Sequence, residues 1–137
     1  MAINKRLIKS NDDAAPIVPT SFNTVLYNGN SSTQSITGVG FQPDLVWIKD
    51  RDRSVWSHIL VDSVRGATNQ LSSDNNDLEL VRSSVTSFNS DGFSVGNYIP
   101  VNDNGYKYVA WCWKAGGAAV TNTDGTITSQ VSANTEA

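Results

Sequence analysis

The stretch Tyr106-Lys107-Tyr108-Val109-Ala110-Trp111-Cys112-Trp113-Lys114 decides how this chain is read. It holds two of the four Trp, two of the four Tyr and the only Cys. Taken with the two-residue period of a strand, one face carries Tyr106, Tyr108, Ala110 and Cys112. The other carries Val109, Trp111 and Trp113, with Lys107 at the rim. Both faces are mostly apolar, so the spacing predicts a strand covered on both sides, deep in a sandwich or barrel. Its aromatic and β-branched content argues against a helix.

Outward from this strand, turn signals alternate with short apolar runs. Asn102-Asp103-Asn104-Gly105 turns into it from residues 98–101, a short run broken by Pro100 that reads as an edge strand. Residues 85–88 and 93–95 flank Asn89-Ser90-Asp91-Gly92 and predict a hairpin. Residues 78–82 read as a short strand, and Leu71 opens a polar stretch over 72–77. Residues 56–62 read as a strand with Trp56, His58, Leu60 and Asp62 on one face and Ser57, Ile59 and Val61 on the other. Residues 45–49 form a further strand, apolar on both sides at Val46, Trp47 and Ile48. Asp50, Arg51, Asp52 and Arg53 after it read as a solvated turn with weak ion pairs. Residues 23–27 and 34–37 are expected to pair as a hairpin about Asn28-Gly29.

That rhythm predicts an all-β fold, an antiparallel β-sandwich of jelly-roll-like type with extended N- and C-terminal arms. The expected division is a docking arm and linker over 1–21, a sandwich over 22–117, and a C-terminal arm or linker over 118–137. Pro16 and Pro19 favour an extended linker. Past Lys114, residues 115–119 are all Gly and Ala. Beyond them Val120, Ile127 and Val131 are spaced too thinly for a core strand.

Composition narrows the function classes. Of 137 residues, 39% are apolar and only 17% charged, so Ser, Thr, Asn, Gln and Gly must make the surface, as in extracellular and virion β proteins. A net charge of -3 without a basic stripe gives no reason to expect nucleic acid. No apolar run approaches a membrane span, and no apolar core follows Lys5, Arg6 and Lys9 to make a signal peptide. One Cys forbids an internal disulfide framework, and Cys112 in an apolar run reads as a buried inert thiol.

Candidate chemistry is sparse. His58, the only His, would need Asp62 or Asp44 to orient it and one of many Ser as nucleophile. No Gly-x-Ser-x-Gly elbow supports that, so His58 is read as a strand histidine satisfied by a neighbour, and no catalytic residue is assigned. Asp74-Asn75-Asn76-Asp77 with Glu79 offers oxygens but lacks the Gly of a calcium loop, so no metal and no cofactor are expected. Asp62 and Arg65 are expected to close a turn as an ion pair, with Gly66 at positive φ. Trp47 and Trp111 lie in runs that read as buried. Trp56, after a charged loop, and Trp113, at a strand end, are the candidate ligand contacts, since aromatic faces suit saccharide rings.

Four segments carry a resemblance: 33–49, Asp62-Ser63-Val64-Arg65-Gly66-Ala67, Thr86-Ser87-Phe88-Asn89-Ser90-Asp91-Gly92-Phe93, and 108–117. Together and in this order they resemble an uncharacterised β domain that recurs in virion proteins of tailed bacteriophages, many marine or cyanobacterial. The resemblance runs from about Thr24 to Asn134. It implies a tail fibre or its virion-attachment module, assembled in the host cytoplasm and located in the virion. It implies docking on tail or other virion proteins through Ile3, Lys5, Arg6, Leu7, Ile8 and Lys9, and association with copies of itself, expected as a trimer. Two other readings are a module that binds a host surface glycan and a capsid-decoration protein. An enzyme is not expected.

Overall fold

The structure, a computed structural model, describes residues 20–133. They form an antiparallel β-sandwich. The strands are β1 (Phe22–Asn28), β2 (Gln34–Thr37), β3 (Leu45–Asp50), β4 (Ile59–Asp62), β5 (Asn69–Ser72), β6 (Leu80–Val81), β7 (Val85–Asn89) and β8 (Gly92–Val95). A single helical turn α1 (Ile99–Asn102) then leads to β9 (Lys107–Trp113), β10 (Val120–Asn122) and β11 (Ser129–Val131). One sheet has six strands in the order β1-β9-β3-β4-β5-β6, and the facing sheet has three in the order β2-β8-β7. β10 and β11 pair only with each other, and none of their residues joins the hydrophobic core.

The Trp-rich strand lies inside the larger sheet, bonded to β1 along Phe22↔Trp113 to Asn28↔Lys107 and to β3 along Leu45↔Trp113 to Asp50↔Tyr108. Its inward residues Tyr108, Ala110 and Cys112 are fully buried, as are Val46 and Ile48 of β3 and Val61 of β4. The smaller sheet answers with Ile36, Val85, Phe93 and Val95, and Val39, Phe41 and Val101 close the ends. Each Val, Ile or Phe among them stabilises the fold by about 1.5–3 kcal/mol. Tyr27 reaches across from β1, its ring edge-on to Phe93 at 6.4 Å and stacked on Tyr108 at 5.2 Å.

The structure corrects several expectations. The strand is not covered on both sides: Trp47, Val109, Trp111 and Trp113 all keep partial exposure. The facing sheet covers only one face, and no further layer of the described residues covers the other.

β1 and β2 do not form a hairpin, since β1 pairs with β9 and β2 with β8. The chain between them crosses from one sheet to the other over Asn102. That amide donates to the carbonyl of Gly96 at 2.7 Å and accepts from Asn30 N at 3.0 Å and Gln34 Nε2 at 2.6 Å. Gly29 serves close approach instead of a hairpin turn: a Cβ there would lie 2.0 Å from the carbonyl oxygen of Asp103.

Residues 98–101 are not an edge strand. Pro100 stands at the start of α1, where its missing N–H costs nothing and its φ suits a helix. The turn is then held by Tyr27 Oη donating to Val101 O at 2.7 Å and Tyr108 Oη donating to Ile99 O at 3.0 Å.

Strand β4 begins at Ile59, so Trp56 precedes it, and Asn69–Ser72 is a strand where only polar loop was expected after Leu71. Pairing supplies what composition lacks there: Leu71 lies opposite Leu60 and Gln70 opposite Val61. The 50–53 loop is exposed at Arg51 and Asp52 but is not a turn of weak ion pairs alone. Asp50 is 2% exposed and accepts from the backbone of Asp52 at 2.9 Å and of Arg53 at 3.0 Å, and from Arg53 Nε at 2.7 Å.

Candidate functional site

Two places combine accessible aromatic groups with a defined geometry. One is the outer face of the six-stranded sheet. Register places three rows on it: Phe22, Trp113, Leu45 and Asp62; Thr24, Trp111, Trp47, Leu60 and Leu71; Leu26, Val109 and Lys49. Phe22 is 46% exposed and Leu26 61%. Trp47 and Trp111 pack at 5.5 Å between ring centroids, and Phe22 and Trp113 at 5.1 Å. The alternation that buries Val25 and Tyr27 against the core therefore turns a second apolar set outward.

The other place surrounds Trp56. Lys49 donates from Nζ to the Trp56 carbonyl at 2.6 Å, which anchors the backbone. Arg53 lies 3.4 Å over the Tyr106 ring and 5.9 Å from that of Trp56, and its guanidinium pairs with Asp50 and Asp103, each at 2.7 Å. A cation so held between carboxylates and aromatic faces is rigid, and it borders one side of the Trp56 ring. Clefts of about 260 and 530 Å³ meet at Trp56, Tyr98 and Pro100.

The remaining candidates fall as follows. Ile3, Lys5, Arg6, Leu7, Ile8 and Lys9 lie outside the described residues. Trp113 borders a third cleft of about 410 Å³ with Leu45, Asp62, Val64 and Ser132. Asp62 accepts from Arg65 N at 2.8 Å and Arg65 Nε at 2.6 Å, and its carbonyl accepts from Gly66 N at 3.0 Å. Gly66 has φ 97°. Arg65 also reaches Glu79 at 2.9 Å, so it links the turn after β4 to the 73–79 loop. This pair is partly open to solvent and contributes at most about 1 kcal/mol.

His58 is not brought together with a nucleophile. Its Nδ1 accepts from Trp47 Nε1 at 3.2 Å, while Asp44 accepts from Ser63 Oγ at 2.8 Å and Ala115 N at 2.7 Å. Asp74 accepts from His58 N at 3.0 Å, and Asn75 donates to Ser57 at 2.9 Å. Among the described residues no group of three or more His, Cys, Asp or Glu could hold a metal ion. Burial pushes the Cys112 thiol up to about 12, which keeps it protonated and unreactive at neutral pH.

Sequence reasoning missed Phe22, Leu26 and Leu71 as surface and Gln70 and Tyr98 as cleft lining. A signal existed for the first group: Phe22 and Leu26 share a period-two face of β1 opposite Val25 and Tyr27. None existed for Gln70, whose placement depends on β5 joining the sheet.

Residues 19–137 match the family described as a domain of unknown function, DUF7483, and the chain belongs to that family. No curated protein and no solved structure matches it.

Proposed function

We propose that this member of the DUF7483 family is a non-catalytic structural module of a phage virion, a tail fibre or its attachment piece, that acts by docking and self-assembly. The observation that carries the assembly part is the outer face of the six-stranded sheet. Phe22, Leu26, Leu45, Trp47, Leu60, Leu71, Val109, Trp111 and Trp113 share it, with Thr24, Lys49 and Asp62 interspersed in the paired rows. A contiguous apolar face of this kind marks an interaction surface on a folded domain. Copies of the chain are the occupant of choice, because a closed ring presents the same patch on every copy and a fibre needs axial symmetry. The expected state is a trimer. The virion setting rests on the motif resemblance, and the arm over residues 1–9 is assigned there to docking on tail proteins.

The test is solution mass by light scattering across micromolar concentrations, for the parent chain and for a Phe22→Glu, Leu26→Glu double variant. Both positions are exposed, so the fold itself tolerates the change. The parent runs at a multiple of the chain mass and the variant as a monomer with unchanged circular dichroism. A parent chain that is monomeric throughout overturns the assembly reading.

A further inference from the structure

Burying a polar atom without a partner is unfavourable, and native folds rarely do it. Among the described residues, buried side-chain nitrogen and oxygen atoms without a hydrogen-bond partner are Trp56 Nε1, Gln70 Oε1 and Ser84 Oγ. Trp56 and Gln70 line the same cleft of about 260 Å³, together with Ile59, Ser72, Tyr98 and Pro100. Gln70 is only 3% exposed and is held in β5 between Val61 and Leu80, so its amide cannot turn freely to solvent. Trp56 is equally fixed, by Lys49 on its carbonyl at 2.6 Å and by Arg53 beside its ring.

The two free atoms restrict the chemistry of what fits. The indole N–H only donates and the amide oxygen only accepts. A carboxylate or phosphate satisfies the first and repels the second. An ammonium group or a metal cation does the reverse. A hydroxyl serves both, accepting from Trp56 and donating to Gln70. The other walls are mixed: the rings of Trp56, Tyr98 and Pro100 suit the C–H face of a pyranose, and Ser57, Ser72 and the Asp77 carboxylate offer partners to its remaining hydroxyls. The second cleft, about 530 Å³, continues past the same three residues to Arg82, Ser83 and Asn97 and supplies polar partners for further rings. Its size is that of an ordinary ligand pocket, about 300–1,000 Å³. The cleft beside Trp113 offers no counterpart, since none of its lining residues has an unpartnered buried polar atom.

We infer that the Trp56–Gln70 cleft binds one ring of a neutral oligosaccharide, with one ring hydroxyl bridging Trp56 Nε1 and Gln70 Oε1 and the next rings running over Pro100 toward Asn97. The inference needs only this cleft. It stands or falls separately from the assembly reading, which rests on Phe22, Leu26, Trp47, Trp111 and Trp113.

The experiment is nuclear magnetic resonance titration of the full chain with methyl glycosides of glucose, galactose, mannose, rhamnose and N-acetylglucosamine, and with neutral oligosaccharides built from them. The observed signals are the indole N–H of Trp56 and the side-chain amide of Gln70. Saturable movement of both with at least one sugar, and tighter binding of its oligomer, is the expected result. Trp56→Phe keeps the ring and removes the donor, and Gln70→Leu removes the acceptor. Each is expected to weaken binding about tenfold, the effect of one lost hydrogen bond. Absence of any shift at these two groups across the set overturns the inference, as does a sugar that binds both variants as tightly as the parent.

Discussion

Asn102 is fully buried, and its amide meets Asn30, Gln34, Ser32 and Gly96, so one side chain joins the β1–β2 crossing to the end of β8. In the sequence it is one of several Asn in a turn-like run, and nothing local separates it from Asn104. Asp91 works in a similar way at the surface. It accepts from Gly40 N at 2.6 Å and Gly38 N at 3.1 Å, and these bonds lower its pKa from the usual carboxylate range. A carboxyl whose folded pKa lies below its unfolded one contributes stability that is complete above the unfolded value, about 4. That contribution is lost as pH falls through the folded value. Asp91→Asn is therefore expected to lower the melting temperature at pH 7. The gap between parent and variant should close on acidification below about pH 4, as measured by thermal unfolding across that range. A gap independent of pH would mean that the charge is not what holds the 38–40 loop.

At the scale of elements, the hairpin β7–β8 and strands β1, β3 and β9 follow from alternation and turn residues. The β7–β8 turn pairs Asn89 with Gly92 and Phe88 with Phe93, close to the sequence expectation. Strand β5 and the helical turn α1 do not follow from their own residues. Each is decided by partners elsewhere: Leu60 and Val61 for β5, Tyr27 and Tyr108 for α1. Gly92 belongs to this scale, because it holds two strands together. It has φ 147°, and a Cβ would stand 2.0 Å from the carbonyl oxygen of Ile36 on β2. Gly92→Ala is expected to force β2 away from β8 and to cost about 2–4 kcal/mol by strain and lost pairing. Chemical denaturation checks this. A cost below about 1 kcal/mol would show that the two strands separate freely.

At the scale of the whole molecule, a six-stranded sheet faces a three-stranded one with no third layer, so the outer face of the large sheet is left without a cover among the described residues. The β10–β11 hairpin does not supply that layer to the core cluster. It meets the rest beside Gly116, whose N–H donates to Ser132 Oγ at 3.1 Å. Removal of residues 118–137 is therefore expected to leave the sandwich folded, with a cooperative thermal transition within a few degrees of the parent. Loss of cooperativity would place the hairpin inside the folding unit. The sequence by itself determined the fold class and the alternation that divides the Trp-rich strand into its two faces. Period-two patterning and turn chemistry are local, and they are written in neighbouring residues. Only the tertiary structure decided that Trp47 and Trp111 look outward, that β1 leaves β2 for β9, and that Trp56 and Gln70 share a cleft. Those outcomes depend on which strands pair and on how many layers the fold has. Apolar content tells that a face can be buried; the number of layers tells whether it is.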